Sequence, residues 1–139
     1  MNGSEAIISL ELARTLGIVL LTVPAIAGGG AFMLRVVQGA IPATPLQKSF
    51  FRAGHAHAGV LVILGSLILL VVELAGVTGL AATLARGVLV AAILMPAGFF
   101  LSVTYRGAEK PNRLVVLLWL GAVSLIVGVV AGGVGLLTV

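Results

Sequence analysis

Four long apolar runs dominate the pattern of hydrophobic and polar positions along the chain. They cover residues 15–34, 53–73, 87–105 and 114–137, and shorter polar segments separate them. An α-helix needs about 20 mostly apolar residues to cross the hydrocarbon core of a bilayer. The pattern therefore predicts one membrane domain over residues 1–139. We expect an all-α, up-down antiparallel four-helix bundle.

Two local signals refine the boundaries of these runs. Ser4 is a candidate N-cap for a helix that leads into the first run, because its hydroxyl can accept a hydrogen bond from a free backbone N–H. Pro42 and Pro45 are predicted to break any helix within 35–52, which would make this segment the longest loop.

Composition supports membrane insertion and excludes several classes of chemistry. Hydrophobic residues make up 60% of the chain, charged residues 9%, and the mean hydropathy is +1.28. The chain has neither cysteine nor aspartate, so disulfides, thiolate metal sites and nucleophile–base sets built on Cys or Asp are absent. The net charge of +4 is spread over connecting segments. This distribution indicates contact with lipid headgroups, and we expect no binding of nucleic acid.

The distribution of basic residues predicts an orientation in the membrane. Six of the eight Lys and Arg residues lie in 35–52 and 106–113: Arg35, Lys48, Arg52, Arg106, Lys110 and Arg113. Cytoplasmic loops carry an excess of such residues. Both loops are therefore predicted to lie on the cytoplasmic side of the cell (plasma) membrane, with both termini outside.

The second run carries the polar positions on one helical face. At about 100° per residue, His55, Gly59, Ser66 and Glu73 share that face. Polar groups within a span normally face protein or water, so this face is predicted to point into the bundle. The opposite face is predicted to contact lipid; it consists of Leu61, Leu64, Ile68 and Val71.

Small residues form stripes that predict where the helices touch. In lipid, helix association depends on close backbone packing, which small residues permit. The candidate contact positions are Gly28 in the first run, Gly98 in the third, and Gly121, Gly128 and Gly132 in the fourth.

The pair His55 and His57 is the only feature with the character of a metal or cofactor ligand. Side chains two residues apart on a helix point about 200° from each other, so both could bind one metal ion only if residues 53–58 were not helical. Alternatively, His55 alone could be an axial haem ligand, with a second ligand from another subunit. A quinone pocket beside the helices kinked by Pro24 and Pro96 is a third possibility. In the simplest interpretation, the histidines only form hydrogen bonds with lipid headgroups. In a regular helix, His57 is expected on the lipid side.

Several sequence motifs together show a resemblance. They are Phe51 to Gly59 (F-R-A-G-H-A-H-A-G), Met95 to Phe100 (M-P-A-G-F-F) and Pro111 to Leu114 (P-N-R-L). This combination resembles a group of small, uncharacterised bacterial four-helix membrane proteins. The resemblance implies the fold and a membrane location, and it implies no activity.

Three function classes follow from these observations. The first is a non-catalytic membrane module that acts as a homo-oligomer or as an accessory subunit of a larger membrane complex. The second is a redox protein that binds haem, a metal ion or a quinone at His55 or His57. The third is a channel or small-solute transporter that uses the face from His55 to Glu73.

Overall fold

The computed structural model describes residues 7–139, and within that range it contains helices and no strand. The helices are α1 (Leu10–Val37), α2 (Pro45–Leu74), α3 (Gly79–Ala85), α4 (Gly87–Leu101) and α5 (Val116–Leu137), the last preceded by a 3₁₀ turn at Arg113–Val115. The predicted all-α class is confirmed. Four segments of this part of the chain are long and apolar enough to cross a bilayer, with α3 and α4 together forming the third. These segments indicate a membrane protein.

Two side-chain caps explain where the first two helices begin. Ser9 caps α1, since its hydroxyl accepts a hydrogen bond from the Leu12 N–H at 3.1 Å; the predicted cap at Ser4 lies outside the described residues. At the start of α2, Thr44 Oγ1 accepts from the Gln47 N–H at 3.1 Å, and the Gln47 side chain accepts from the Thr44 N–H at 3.0 Å. This reciprocal capping box fixes the first turn.

Pro45 begins α2, and the prediction that it breaks a helix is therefore wrong. At the first helical position a proline lacks only an N–H that would have no intrahelical partner, and its fixed φ angle suits the helix. The segment between α1 and α2 is consequently much shorter than residues 35–52.

The third apolar run was predicted to continue to residue 105, but α4 ends at Leu101. The Asn112 side chain donates to the Leu101 carbonyl at 3.0 Å, and the Asn112 N–H donates to the Ser102 carbonyl at 2.8 Å.

Glycines bring α4 and α5 into close contact. A Cβ atom at Gly128 would lie 2.8 Å from the Val88 backbone nitrogen, and one at Gly121 would lie 2.9 Å from the Met95 nitrogen. A Cβ atom at Gly98 would overlap the Leu118 backbone. The same stripe continues at Gly132, where a Cβ atom would lie 3.2 Å from Ile68 Cγ2 of α2. The two helices approach at these positions because no side chain stands between their backbones.

Most of the aliphatic face of α2 packs against other helices, which corrects the expectation that it contacts lipid. Leu61 is 3% exposed and packs with Ala91 and Met95 of α4, with Leu64 at the edge of this cluster. Ile68 packs against a second cluster, formed by Val72, Val77 and Ala85. Of the predicted lipid-facing residues, only Val71 is exposed, at 38%. The prediction failed because lipid tails are as apolar as leucine, so hydrophobicity does not separate a protein-facing side from a lipid-facing side.

Within residues 7–139, the backbone of α1 approaches that of α2 and of no other helix, and the Glu11 side chain adds an ion pair with Arg86, which lies between α3 and α4. Its buried residues lie near its two ends: Leu12 at the start, and Met33 and Val36 at the finish. Gly28 does not lie at a helix contact as predicted, since a Cβ atom there would meet nothing within 4 Å in the described chain. The close approach falls on the next two residues, Gly29 and Gly30. Between its ends, α1 stands away from α4.

Candidate functional site

The space between α1, α2 and α4 is a cavity of about 510 Å³. Most of its lining is aliphatic, and its polar side chains are His55 and two threonines. The lining residues are Thr15, Ile18, Val19, Thr22, Ala25, Ile26 and Gly29 of α1, His55, Ala58 and Val62 of α2, and Leu89, Ala92, Ile93 and Phe100 of α4. In the described structure no Cα atom of α1 lies within 8 Å of one of α4, and the lining residues Ile18 and Ile93 are exposed, so the cavity opens between these two helices.

His55 stands at one end of this cavity, against the glycines of α1. A Cβ atom at Gly29 would lie 3.1 Å from His55 Nδ1, and one at Gly30 would lie 3.5 Å from Nε2. The two glycines therefore leave the space that the imidazole occupies. No residue among 7–139 forms a hydrogen bond with the half-buried His55 ring. The ring thus presents an unused donor and an unused acceptor beside an apolar cavity.

All five phenylalanines gather at the His55 end of the helices. Phe100 lines the cavity, its ring stacks on Phe51 at 5.8 Å between centroids, and Phe51 meets Phe32 edge-on at 5.3 Å. Phe50 and Phe99 form a second edge-on pair at 5.6 Å. The rings of Phe32, Phe51 and Phe100 thereby join α1, α2 and α4. The phenylalanine doublets at 50–51 and 99–100 are a sequence signal for this cluster, for which no role was predicted.

Glycine at position 54 explains how α4 reaches the histidine segment. A Cβ atom at Gly54 would lie 2.9 Å from Phe100 Cε2 and 3.0 Å from Phe99 Cβ. Both rings of α4 thus sit where a side chain of α2 would otherwise be. The G-H-A-H segment therefore contacts two helices at once, α4 through Gly54 and α1 through His55.

His57 faces α4, which corrects the expectation that it points toward lipid. Its ring lies 5.1 Å from the ring of Phe99, and its Nδ1 lies 2.7 Å from the Ala53 carbonyl oxygen. A carbonyl only accepts, so Nδ1 carries the hydrogen and donates. The side chain is therefore committed to its own helix and to an aromatic neighbour.

The two histidines do not converge on a common point. Helix α2 is continuous from Pro45 to Leu74, so the condition for a shared metal ion, a non-helical segment at 53–58, is not met. His55 contacts α1 and His57 contacts α4. Within residues 7–139, no group of three or more His, Asp or Glu side chains is placed to hold a metal ion. The cavity therefore offers a single imidazole.

The other members of the predicted polar face form no site with His55. Gly59 is half-buried, and the Ser66 hydroxyl donates to the Val62 carbonyl at 2.8 Å. Glu73 accepts hydrogen bonds from the backbone N–H and the hydroxyl of Ser9, the latter at 3.0 Å. Glu73 thus holds the start of α1, and neither it nor Ser66 lines the cavity.

The chain matches no protein-family model, no curated protein and no solved structure at a significant level. The geometry around His55 is therefore the basis for a functional assignment.

Proposed function

We propose that the protein is a non-catalytic membrane module that holds an apolar molecule of the quinone class in the cavity between α1, α2 and α4. The observation that carries this proposal is the His55 imidazole, which faces an apolar cavity and has no hydrogen-bond partner among the described residues. A quinone has an apolar body and carbonyl oxygens that accept a hydrogen bond. The His55 N–H would donate to one of them.

Energetics favour a polar partner for His55. A polar group left without a hydrogen bond in an apolar environment costs about 1–3 kcal/mol, which a ligand carbonyl would recover. The cavity volume of about 510 Å³ falls within the range of small-molecule pockets, about 300–1,000 Å³. Phe100 supplies a flat apolar surface next to the imidazole, suited to a planar ring.

A binding measurement with two matched variants tests this proposal. Purified protein in liposomes is titrated with a benzoquinone carrying a decyl tail, and binding is followed by quenching of tryptophan fluorescence. We expect His55→Ala to weaken quinone binding by about 10-fold, because the variant loses the hydrogen bond from the imidazole to the quinone carbonyl. His57→Ala should leave binding unchanged, because that ring is bonded to Ala53 and packs on Phe99. Loss of binding in His57→Ala with none in His55→Ala would refute the assignment.

Haem and metal binding remain alternatives within the same class. His55 would be a single axial ligand, and a second ligand would come from another copy or subunit. The absorption spectrum of the purified protein distinguishes haem from a quinone, because only haem gives an intense Soret band. Metal analysis of the same sample tests for a bound metal ion. A channel or transporter is less well supported, since the aliphatic lining of the cavity leaves no polar path from His55 to Glu73.

We also propose that the module works as a homo-oligomer or as an accessory subunit of a larger membrane complex. Support comes from α1, which has only three buried residues in the described chain, Leu12, Met33 and Val36, and whose backbone approaches that of α2 and of no other helix there. A partner seated along α1 would complete its packing. Native mass spectrometry with lipids retained reports subunit number and partners together, and a monomer free of other subunits would contradict this part of the proposal.

The proposed topology is an antiparallel bundle in the plasma membrane, with the termini outside and the loops 35–52 and 106–113 in the cytoplasm. Contacts between Ser9 and Glu73 and between Gly29 and His55 support opposite directions for α1 and α2. The six basic residues of the two loops support the sidedness. The resemblance to small bacterial four-helix membrane proteins supports the four-helix fold and the membrane location.

Single cysteines on exposed positions test the sidedness in intact cells. Ala40→Cys and Glu109→Cys should be protected from an impermeant thiol reagent, and Thr78→Cys should react. The opposite labelling pattern would invert the proposed topology.

A further inference from the structure

We infer that the cavity accepts an extended apolar chain, so that the ligand is an isoprenoid quinone with its ring at the end lined by His55 and Phe100 and its prenyl chain lying along α1 toward Thr15. This inference rests on the proposed quinone site and adds the shape and direction of the ligand. Four features of the cavity carry it: its length, its elongated shape, the chemistry of its two ends and its opening.

The cavity is long and runs parallel to the helices. Its α1 lining extends from Gly29, beside His55, to Thr15, and every lining residue of α1 lies on one helical face. Fourteen residues of helix at a rise of about 1.5 Å each give a length of about 21 Å. The lining of α4 follows the same direction, from Phe100 to Leu89. A molecule that fills this space must therefore be extended along the membrane normal.

The cavity is also elongated. Its volume of about 510 Å³ is distributed along about 21 Å of α1. That shape suits an extended hydrocarbon chain, whose atoms keep about 4 Å from neighbouring atoms.

Only the His55 end of the cavity offers a free hydrogen-bond donor. Thr15 and Thr22 also line the cavity, but their hydroxyls donate to backbone carbonyls of their own helix, Thr15 to Glu11 at 2.9 Å and Thr22 to Val19 at 2.7 Å. The remainder of the wall toward Leu89 is apolar. The arrangement fits a molecule with one polar head and one apolar tail, and it sets the direction of the tail.

The opening between α1 and α4 places the entry route within the bilayer. In the described part of the chain no Cα atom of α1 lies within 8 Å of one of α4, and the lining residues Ile18 and Ile93 are exposed, so a tail already dissolved in lipid can move sideways into the cavity. An isoprenoid quinone resides in the hydrocarbon core and meets this condition. A free fatty acid is the other single-chain molecule that enters this way, and its charged carboxylate would lie against Phe100 and His55 instead of a neutral ring.

Photolabelling with a tail-end probe tests the inference on the full chain in liposomes. The probe is a benzoquinone whose alkyl tail ends in a diazirine, and the labelled residues are identified by mass spectrometry. We expect labelling within residues 15–22 and around Leu89, displaced by an unlabelled quinone with a decyl tail. A fatty acid carrying the same diazirine should label these residues at least about 10-fold less.

A matched pair of variants blocks the chain path. Ala25 lines the cavity about 6 Å along α1 from Gly29, whereas Ala27, on the same helix, is exposed and outside the lining. Ala25→Phe should reduce labelling of residues 15–22 by at least about 10-fold, and Ala27→Phe should leave it unchanged. A tail-less benzoquinone should still bind both variants through His55, which also shows that both remain folded.

The outcomes separate this inference from the proposed function. Displaceable labelling that falls near Gly30 or is spread over α5 would overturn the chain path and leave the quinone site intact. Preferential labelling by the fatty acid probe, or occupation of the cavity by a phospholipid in native mass spectrometry, would overturn the ligand class. Quinone binding that is unaffected by His55→Ala would overturn the site itself.

Discussion

The contact between α4 and α5 gives a sharp prediction, because α5 contains one glycine at the contact and another away from it. A Cβ atom at Gly128 would lie 2.8 Å from the Val88 backbone nitrogen and 2.8 Å from Val88 Cγ2, whereas a Cβ atom at Gly133 would meet nothing within 4 Å in residues 7–139. Gly128→Ala and Gly133→Ala therefore make the same chemical change in the same helix, and they differ only in what the new methyl group meets.

The magnitude follows from two opposing effects. Replacing glycine by alanine inside a helix stabilises it by up to about 1 kcal/mol, and this gain is common to both variants. A methyl group at Gly128 would lie 2.8 Å from the Val88 backbone nitrogen, whereas ordinary van der Waals contact begins at 3.4 Å. Helix α4 must therefore shift by about 0.6 Å. Overpacking of this kind costs about 1–3 kcal/mol. Gly133→Ala should be neutral or slightly more stable than the wild type, and Gly128→Ala should be less stable than Gly133→Ala by about 1–3 kcal/mol.

Unfolding in mixed micelles with increasing SDS measures this difference. Trp119 is the only tryptophan of the chain and lies on α5, so its fluorescence reports directly on the helix that is changed. The larger variants Gly128→Leu and Val127→Leu extend the same comparison, since Val127 is 41% exposed. If Gly128→Ala and Gly133→Ala unfolded at the same SDS fraction, the close contact of α4 with α5 would not exist as described.

Three further predictions concern the cavity and the ends of the helices. Gly29→Ala places a methyl group 3.1 Å from His55 Nδ1 and should weaken quinone binding, whereas Gly28→Ala, with nothing within 4 Å in the described chain, should bind as the wild type in the fluorescence titration. Gln47→Leu should lower the free energy of unfolding by about 1–3 kcal/mol, because the buried amide donates to the carbonyls of Val103 at 2.9 Å and Tyr105 at 3.1 Å. Glu11→Gln removes the ion pair with Arg86 at 2.7 Å but should change stability by less than about 1 kcal/mol in the same SDS titration, since both side chains are largely exposed.

The length and position of the apolar runs were sufficient to predict an all-α protein with four segments able to cross a membrane, because a bilayer sets a minimum span length. The start of α2 was missed for a specific reason. Pro45 was interpreted alone as a helix breaker, although Thr44-Pro45-Leu46-Gln47 is a capping box with proline at the first helical position. The end of α4 could not be predicted from its own residues, since the Asn112 side chain that bonds its last carbonyl comes from a later segment.

The site was predictable in part. The helical spacing predicted a protein-facing side of α2 for His55, because an imidazole within a span is unfavourable against lipid. In the structure the His55 ring lies against Gly29 and Gly30 of α1. Which helix it would face was not encoded in that spacing. The partner is α1, and the contact depends on Gly29 and Gly30, which sequence analysis had assigned one residue too early, at Gly28. The position of His57 could not be predicted from α2 alone, because its ring packs against Phe99 of α4.

The same rule accounts for both the tight core and the cavity. Helices in lipid approach closely where small side chains face each other, as at Gly98, Gly121 and Gly128 between α4 and α5. On α1, the cavity face between its ends carries Ile18 and Ile26, whose large side chains do not permit the close backbone approach that glycine permits. Small residues return at Gly29 and Gly30, and there the His55 ring can approach the α1 backbone. The spacing of small and branched residues along α1 thus places an apolar slot directly beside a single imidazole. Replacing branched residues by glycine on this face should close the slot by bringing α1 against α4, and quinone binding should decrease although His55 is retained.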